Sequence, residues 1–468
     1  MSSFEYDQID CETRSIRLLR VLPGRFKDDI ECELFLTFID DVVPYEALSY
    51  CWGTEDEGTA PILLDGSDFF VWKNLYEALR RLRSADIARI LWIDAICINQ
   101  QNPGEKIHQI GQMSSIYQQA ERVVVWLGPS DRESDRALSF ISSLAKGTAH
   151  TVSPSDVKGK RELYIGLCQL KRRPYFKRMW VLQELANARA LVVACGSHLL
   201  SAYIFSRIEG VLERLEDDLQ KSYSAEYLLL LNMGQSGLVD EFLLETETLR
   251  DMQKFQATKV RNIILELLHM SRDQKKQWRN SLPLLYLIHD FRDCEATKDH
   301  DKVFALLGLS SDAHNSAEFP ADYEEPVDSL YRRVVLFSIK SRRARSIHNL
   351  FCCRSIVFSS EVASGIHLPS WVFPFTEGHI IGNASGPLED FVSGLKVSAP
   401  QWIGYPNLLV GGLCLGTART EPGNNKAIFT IGKVPLRLLP MHRRTELDKL
   451  GDCSFDESCF KSPLFAVL

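Results

Sequence analysis

One predicted helix, which begins near Arg178, carries the residue types best suited to chemistry. Helical spacing separates an aliphatic face from a polar face on this segment. The aliphatic face, expected to pack on the core, consists of Val181, Leu182 and Leu185. The other face consists of Trp180, Gln183, Glu184 and Asn187. Trp180 and Glu184 are one turn apart and are expected to project away from the core. An aromatic ring beside a carboxylate is typical of a pocket lining.

Two interpretations of this helix remain open. In the functional one, Glu184 is a catalytic carboxylate, and Trp180 and Gln183 contact a bound ligand. In the structural one, the indole packs under a loop and the carboxylate pairs with Arg178 or Lys177.

Asp94 is the second informative residue because it interrupts the apolar run Ile90–Ile98, which is typical of a strand covered on both faces. An unpaired carboxylate there would be expensive, so Asp94 needs a cation such as Arg178, or backbone amides. It therefore either braces a loop or binds a ligand. Arg178 is a bidentate donor, so it suits either Asp94 or a phosphate of a dinucleotide.

Further polar and aromatic residues follow the ends of two predicted core strands. In open α/β sheets, ligands bind outside the carboxyl ends of the strands. The candidate binding residues at these ends are Ser49, Tyr50, Trp52 and Gly53 after one strand and Asn99 and Gln100 after the other. Core packing explains Trp52 equally well, and a tight turn explains Gly53.

Familiar catalytic and metal-binding patterns are absent from the sequence. It contains no Gly-x-Gly-x-x-Gly after a strand, no P-loop, no His-Glu-x-x-His and no Gly-x-Ser-x-Gly. The twelve cysteines form no Cys-x-x-Cys pair. We therefore predict neither a classical dehydrogenase nor a metal site, and no cofactor.

Alternating strands and helices must position these residues. Apolar strands are predicted at Tyr45–Trp52, Ile90–Ile98, Val123–Leu127 and Leu191–Cys195. Helices are predicted at Asn74–Arg83, from Pro103 onward, and at Ala137–Ala145, Arg161–Leu170 and Arg178–Arg189. Asn102 is expected to cap the second of these helices, with Glu105 as its capping-box acid. The alternation predicts an α/β fold with a mainly parallel sheet flanked by helices.

The remaining segments suggest additional modules. We predict a β-rich lead-in over residues 1–40, an α/β core over 41–196, a mostly helical region over 197–310, and a mixed α+β region over 311–468. A polar linker is expected at Thr148–Gly159, and a basic amphipathic helix at Tyr323–Arg345. Short β-like pieces are expected from Leu350 onward.

Composition limits the partners and the compartment. With 54 basic and 61 acidic residues the formal charge is −7, so no nucleic-acid partner is expected. No apolar run approaches membrane-spanning length, so no membrane span is expected either. The first twelve residues lack the apolar stretch of a signal peptide. We expect reduced thiols and a cytoplasmic protein.

Three blocks in the right order resemble the fungal heterokaryon-incompatibility (HET) domain. They are YEALSYCWG at Tyr45–Gly53, LWIDAICINQ at Leu91–Gln100, and RRPYFKRMWVLQELANAR at Arg172–Arg189. The intervening Gln109–Gly128 is also family-like. Cys51 departs from the usual small apolar residue, but cysteine is itself small and apolar.

The resemblance implies a role in non-self recognition and regulated cell death. The HET family is also distantly similar to the TIR superfamily, which implies a TIR- or flavodoxin-like core. Some TIR members hydrolyse NAD with the glutamate of a Trp-x-x-x-Glu motif, which Trp180 and Glu184 match. The resemblance thus implies NAD or a related nucleotide as substrate. A carboxylate can stabilise the oxocarbenium-like state, and no acid is needed because nicotinamide leaves as a neutral molecule.

A non-enzymatic alternative stands beside this hypothesis. In that case the domain is a signalling module that acts through self-association or through protein partners. A concave site that unites Glu184, Trp180 and Asp94 favours the enzyme, whereas Glu184 on an open convex surface favours the module.

Overall fold

The computed structural model describes residues 4–146, 157–232, 259–314 and 319–340, together with five short strands between residues 401 and 437. The chain divides into two compact units. The first runs to Leu282 and also takes in Cys294–Thr297 and Phe304–Asp322. The second comprises Pro283–Asp293, Lys298–Val303 and the described residues from Tyr323 onward.

A mixed sheet of nine strands forms the centre of the first unit's described residues. Its strands are β1 Ser15–Val21, β2 Glu31–Phe38, β3 Glu46–Ser49, β4 Thr59–Leu64, β5 Ser67–Trp72, β6 Arg89–Trp92, β7 Arg122–Trp126, β8 Leu191–Cys195 and β9 His198–Ser201. Their spatial order is β5-β4-β2-β1-β6-β3-β7-β8-β9.

The middle of this sheet, β6-β3-β7-β8, is parallel throughout. In chain order these four strands stand second, first, third and fourth, which is the flavodoxin-like order of a doubly wound sheet. All four residues of β3 and the last four of β7 are buried, as expected for strands covered on both faces. The predicted α/β fold is confirmed. The sheet as a whole is mixed because β1, β5 and β9 join it antiparallel.

Thirteen helices are described. They are α1 Lys73–Leu82, α2 Asp94–Cys97, α3 Pro103–Gln119, α4 Arg132–Ala145, α5 Val157–Lys171, α6 Val181–Asn187, α7 Ala202–Phe205, α8 Ile208–Asn232, α9 Lys259–His269, α10 Arg272–Trp278, α11 Leu284–Asp290, α12 Asp301–Leu307 and α13 Val327–Lys340. None of the helices in the described part of the chain is long and apolar enough to cross a membrane.

The lead-in strands are part of the same sheet as the parallel centre. β1 pairs antiparallel with β2 and with β6, placing Leu19 opposite Leu91. Arg17 of β1 is 1% exposed and forms a buried ion pair with Glu105, at 2.6 and 3.0 Å. Glu105 also accepts the Asn99 N–H at 2.7 Å. Asn102 caps α3 as predicted, but Glu105 serves this ion pair instead of closing a capping box.

The prediction that Asp94 lies within a strand is wrong. β6 ends at Trp92, and Asp94–Cys97 forms a single helical turn, in which the Cys97 N–H donates to the Ile93 carbonyl at 2.7 Å. A continuous apolar run does not distinguish a buried strand from a buried helix. Asp94 takes a first-turn position, where a carboxylate is favoured, and accepts the Ala95 N–H at 2.8 Å.

The third signature segment is also more irregular than predicted. The helix expected from Arg178 begins at Val181 as α6 and is preceded by a 3-10 helix at Pro174–Lys177. Arg178 itself is extended. Proline suits the first position of a helix, which explains why the new turn begins at Pro174.

Several predictions fall wholly or partly on undescribed residues. Residues 148–156 of the predicted linker Thr148–Gly159 lie outside the described residues. Its last three residues form the start of α5, which begins at Val157. The predicted helix Tyr323–Arg345 is described as α13 up to Lys340. Of the β-like pieces expected after Leu350, the described ones are strands at Gln401–Gly404, Asn407–Leu409, Gly416–Thr420, Ala427–Ile431 and Val434–Arg437. The four predicted domain boundaries stay predictions.

Candidate functional site

A buried hydrogen-bond chain holds the Glu184 carboxylate. Glu184 lies in α6, is 2% exposed, and accepts a short hydrogen bond from the Ser49 hydroxyl at the end of β3. The Ser49 oxygen is in turn 2.7 Å from the Tyr175 hydroxyl. An ionised carboxylate only accepts, so the single Ser49 hydrogen goes to Glu184 and Tyr175 is the donor to Ser49. Three separate elements therefore fix the orientation of this carboxylate.

The expectation that Glu184 projects away from the core is wrong. Every residue of α6 is buried, including Gln183, Glu184 and Asn187. The later helices α9 and α10 pack against α6, so the face that sequence spacing left open is covered. Trp180 is half-buried and packs against the hydrophobic core.

Asp94 forms the second half of the cluster. Its Oδ2 accepts the Trp52 indole N–H at 2.8 Å, and its main-chain carbonyl accepts the Gln100 amide at 2.9 Å. The buried Tyr50 hydroxyl lies beside Asp94 without reaching hydrogen-bond geometry, but it is near enough to lower the Asp94 pKa. Asp94 is thus rigidly held and remains partly accessible to solvent.

Arg178 lies near both carboxylates but forms no direct ion pair. Its guanidinium makes no hydrogen bond with any residue that the structure describes, yet its charge acts on Glu184, Asp94 and Cys51. Its backbone is fixed from outside the domain core. Arg178 forms an isolated parallel bridge with Glu295, and the Met179 N–H donates to the Glu295 carbonyl at 3.0 Å.

Burial sets the protonation behaviour of the cluster. It raises the pKa of Glu184 to about 7, against the opposing effects of the Arg178 cation and the Ser49 hydrogen bond. Burial also raises the pKa of Asp94, and Arg178 again opposes it. For Arg178, burial alone would lower the pKa, but the neighbouring Glu184, Cys51 and Asp94 raise it overall. The cluster thus holds one permanent cation between two carboxyl groups.

The cluster lies at the carboxyl edge of the parallel strands, beside the point where strand order reverses. Asn74 of α1 links the two sides of that point. Its amide donates to the Cys51 carbonyl at 2.7 Å after β3, and its oxygen accepts the Trp126 indole N–H at 2.9 Å at the end of β7. Arg173 holds the next loop through the Leu127 and Pro129 carbonyls, each at 2.7 Å. Switch points of this kind are where ligands bind in doubly wound sheets.

The structure brings most of the predicted site residues together. The clustered ones are Ser49, Tyr50, Trp52, Asp94, Gln100, Arg178 and Glu184. Trp180 packs against the hydrophobic core. Gln183 instead donates to Ser114 of α3 at 2.5 Å. Asn99 stabilises a turn by accepting the Gln101 N–H at 3.1 Å. Gly53 has a φ of +101°, as the tight-turn interpretation requires.

Tyr175 and Asn74 are functional candidates that sequence reasoning missed. Tyr175 is 1% exposed beside Phe176, and an aromatic pair after a proline is ordinarily core. Asn74 opens an amphipathic helix, where a polar residue attracts no notice. Only the position of Tyr175 inside the third signature block offered a signal.

A groove is described at another part of the sheet. A groove of about 450 Å³ runs beside β2 and β4, far from Glu184 along the strand order. No group of His, Cys, Asp or Glu within the described ranges is arranged to hold a metal ion. The cluster itself offers two carboxyl groups, a guanidinium, the Ser49 and Tyr175 hydroxyls and the Trp52 indole.

Comparison with known proteins matches the region that carries this cluster. The family model described as heterokaryon incompatibility protein (HET) matches residues 45–184. Heterokaryon incompatibility protein 6, OR allele, of Neurospora crassa is 27% identical over 474 aligned residues, covering 88% of this chain. The chain spans 66% of that relative's length. No solved structure matches. Residues 45–184 thus match the heterokaryon incompatibility (HET) family model, and most of the chain is similar to the Neurospora protein.

Proposed function

We propose that this chain acts in heterokaryon incompatibility, as a non-self recognition protein that triggers regulated cell death. The HET domain and the name of the Neurospora relative support this role. We further propose that the domain triggers death by hydrolysing NAD at the nicotinamide–ribose bond. NAD is then the substrate and no cofactor is required. Cytoplasmic action fits the cysteines, none of which is disulfide-bonded among the described residues.

The observation that carries the enzymatic proposal is the fixed position of the Glu184 carboxylate. It is held by Ser49 at the switch point, close to Asp94 and Arg178. Perturbed ionisable groups at such a place are typical of active sites. The flavodoxin-like order of the four parallel strands also supports the TIR-like interpretation.

The cluster's charges suit a pyridinium nucleotide. With both carboxyl groups ionised and Arg178 charged, its net charge is negative, which favours a cationic nicotinamide and the oxocarbenium-like state that follows. The C–N bond breaks with its electron pair on nicotinamide, which leaves neutral. Water then adds to the ribose carbon and releases a proton, giving ADP-ribose. Glu184 stabilises the positive charge, and Trp52 or Trp180 offers a stacking surface for the ring.

The test compares nicotinamide release by wild-type protein, Glu184→Gln and Glu184→Ala. We expect both variants to lose at least about a hundredfold in rate, the loss typical of removing one group that stabilises transition-state charge. Glu121→Gln, an exposed glutamate of the same domain, serves as control and should retain full turnover. Unchanged turnover by a folded Glu184→Ala protein would exclude Glu184 as the catalytic group.

The non-enzymatic alternative also has an observation in its favour. Glu184 is 2% exposed, and the groove of about 450 Å³ lies at a different part of the sheet. If the domain acts by self-association or by binding a partner, death-inducing activity should survive Glu184→Gln. Cell death assays with wild type, Glu184→Gln and Glu121→Gln decide between the two functions.

A further inference from the structure

Strand β2 is paired along only part of one edge. On one side it pairs with β1 from Cys32 to Phe38. On the other side β4 pairs only with Glu31 and Cys32, after which the chain turns away at Asp65 and Gly66. Both turn residues have a positive φ, as a tight hairpin turn requires. Among the described residues, the outer edge of β2 is therefore open beyond this point.

The hydrogen-bond pattern identifies which backbone groups face the open edge. Glu31 accepts from Leu22 on the β1 side, so odd-numbered residues of β2 bond toward β1. Even-numbered residues face outward, as the Cys32 carbonyl and the Leu34 N–H show by bonding to Asp65. The next outward groups are the Leu34 carbonyl, both groups of Leu36 and the Phe38 N–H. None of them bonds to another backbone group within the described residues.

The side chains along this edge are apolar and exposed. Leu36 is 44% exposed and Phe38 is 55% exposed. Natural edge strands are usually protected by lysine, proline or a bulge, and the segment from Leu34 to Phe38 has no lysine or proline. An unprotected apolar edge is what strand addition requires.

A groove with an acidic rim adjoins the open edge. Its volume is about 450 Å³, and its apolar floor includes Leu22, Leu34, Phe35 and Leu63. Glu31, Glu33 and Asp65 also line it. Arg20 pairs with Glu33 at 2.6 Å. Glu31 and Asp65 form no ion pair with any described residue. The groove therefore complements an apolar segment that carries a positive charge.

We propose that the open edge of β2 binds an extended peptide of a partner protein as an added strand. The peptide's backbone bonds to the outward groups of Leu34, Leu36 and Phe38. Its apolar side chains contact Leu34, Leu36 and Phe38, which share one face of β2, and a lysine or arginine faces Glu31 and Asp65. The acidic rim favours a basic peptide over a second copy of this edge, because an antiparallel pair of copies centred on Leu36 would set Asp41 of one copy opposite Glu31 of the other.

The Leu36→Pro variant gives a specific test. Proline removes the outward N–H of residue 36, which makes no backbone hydrogen bond to any described residue, and leaves the β1–β2 ladder intact. Leu36→Thr keeps the N–H and serves as the matched control. The probes are peptides selected from a random-sequence display library on wild-type protein alone.

We expect the selected peptides to alternate apolar with polar residues and to contain a basic residue. Their affinity for Leu36→Pro should be at least about tenfold lower than for wild type. One hydrogen bond is lost, and the peptide carbonyl that accepted it is left without a partner. Glu31→Gln with Asp65→Asn should weaken binding about twofold to fivefold, as expected for exposed charges. Equal binding to wild type and Leu36→Pro would overturn the proposal.

Amide hydrogen exchange in the full chain provides a test that does not depend on a folded proline variant. In the free protein the Leu36 and Phe38 amides should exchange faster than those of Phe35 and Thr37, and peptide binding should protect them. If they are already protected in a monomer, another segment of the chain occupies the edge. If protection instead depends on protein concentration, a second copy does. Either outcome overturns the peptide assignment.

Discussion

At the scale of single residues, the Glu184 carboxyl group is the most revealing feature of the domain. It is buried, hydrogen-bonded by Ser49 and influenced by a nearby guanidinium, and its pKa is about 7. Its ionisation is therefore balanced near neutral pH. Two measurable consequences follow, one for activity and one for stability.

For activity, the proposed NAD hydrolysis predicts that nicotinamide release falls as the pH drops below about 7, because that mechanism needs the ionised form of Glu184. Arg178→Gln removes the nearby cation that lowers the Glu184 pKa, so the midpoint should move upward by about one pH unit. The measurement is the rate of nicotinamide release as a function of pH. Lys177→Gln is the matched control, since Lys177 pairs with Glu295 at 2.9 Å, and its midpoint should stay at the wild-type value. An unshifted midpoint in Arg178→Gln would show that its charge does not reach Glu184.

For stability, Glu184→Gln should make the folded protein more resistant to denaturant at pH 8. The Glu184 pKa rises from 4.5 to about 7 on folding, so the folded state binds more protons than the unfolded state between these values. The contribution of Glu184 to stability is therefore complete below pH 4.5 and is lost as the pH rises through 7. The amide avoids this loss, which corresponds to about 3 kcal/mol. Denaturant unfolding of both proteins at pH 5 and pH 8 measures it, and an equal difference at the two pH values would contradict the assignment.

At the scale of elements, Asn74 shows how a helix holds two strand ends in register. It bonds both to the Cys51 carbonyl and to the Trp126 indole, which is 1% exposed. No strand ladder joins these two groups directly. The spacing of the switch point thus depends on a side chain of α1.

Asn74→Ala should lower the free energy of unfolding by about 2 kcal/mol, because it leaves a buried indole N–H and a carbonyl without partners. Asn74→Asp keeps an acceptor for Trp126 and loses only the donor to Cys51, so its loss should be about half as large. Denaturant unfolding measures both values. Equal losses would show that the Trp126 bond contributes nothing.

Sequence periodicity predicted the existence of these elements better than their ends. Apolar runs predicted β3, β7 and β8, because the central strands of this sheet are buried on both faces. The end of β6 could not be predicted, because Ile93 and Ile96 are equally apolar in a strand or in the helical turn that forms. The predicted orientation of Glu184 was wrong for another reason. The spacing of residues within α6 carries no information about α9 and α10, which cover its second face.

The hairpin β4–β5 was not predicted, and its absence from the prediction has a physical cause. Pro61 lies within β4, and a proline ordinarily argues against a strand. Of the candidate site, the strand-end residues and Glu184 could be named from motif order. Tyr175 and Asn74 could not, because only the folded chain places them beside Ser49 and Cys51.

At the scale of the whole molecule, the family match from residue 45 to 184 is smaller than the sheet that supports it. β1 lies beside β6 in the middle of the strand order, although it precedes the matched region. The buried pair of Arg17 and Glu105 joins the lead-in to α3. The lead-in strands are therefore part of the structural core of this domain.

Arg17→Ala should destabilise the protein by about 3–5 kcal/mol, since it leaves Glu105 as an uncompensated buried charge. Arg20→Ala, at a more exposed position of the same strand, breaks the ion pair with Glu33 and should change stability by less than about 1 kcal/mol. Thermal and denaturant unfolding of the two variants provide the comparison. A small effect of Arg17→Ala would mean that the lead-in adds little to the core.

The bridge between Arg178 and Glu295 also bears on when the protein becomes competent during its synthesis. Lys177, beside Arg178, also forms an ion pair with the Glu295 side chain, and these two residues are 118 positions apart in the chain. A ribosome that has already released Arg172–Arg189 still holds back the segment around Glu295 that fixes the Arg178 backbone. The nascent chain thus lacks the contact that fixes the Arg178 backbone until Glu295 has been synthesised.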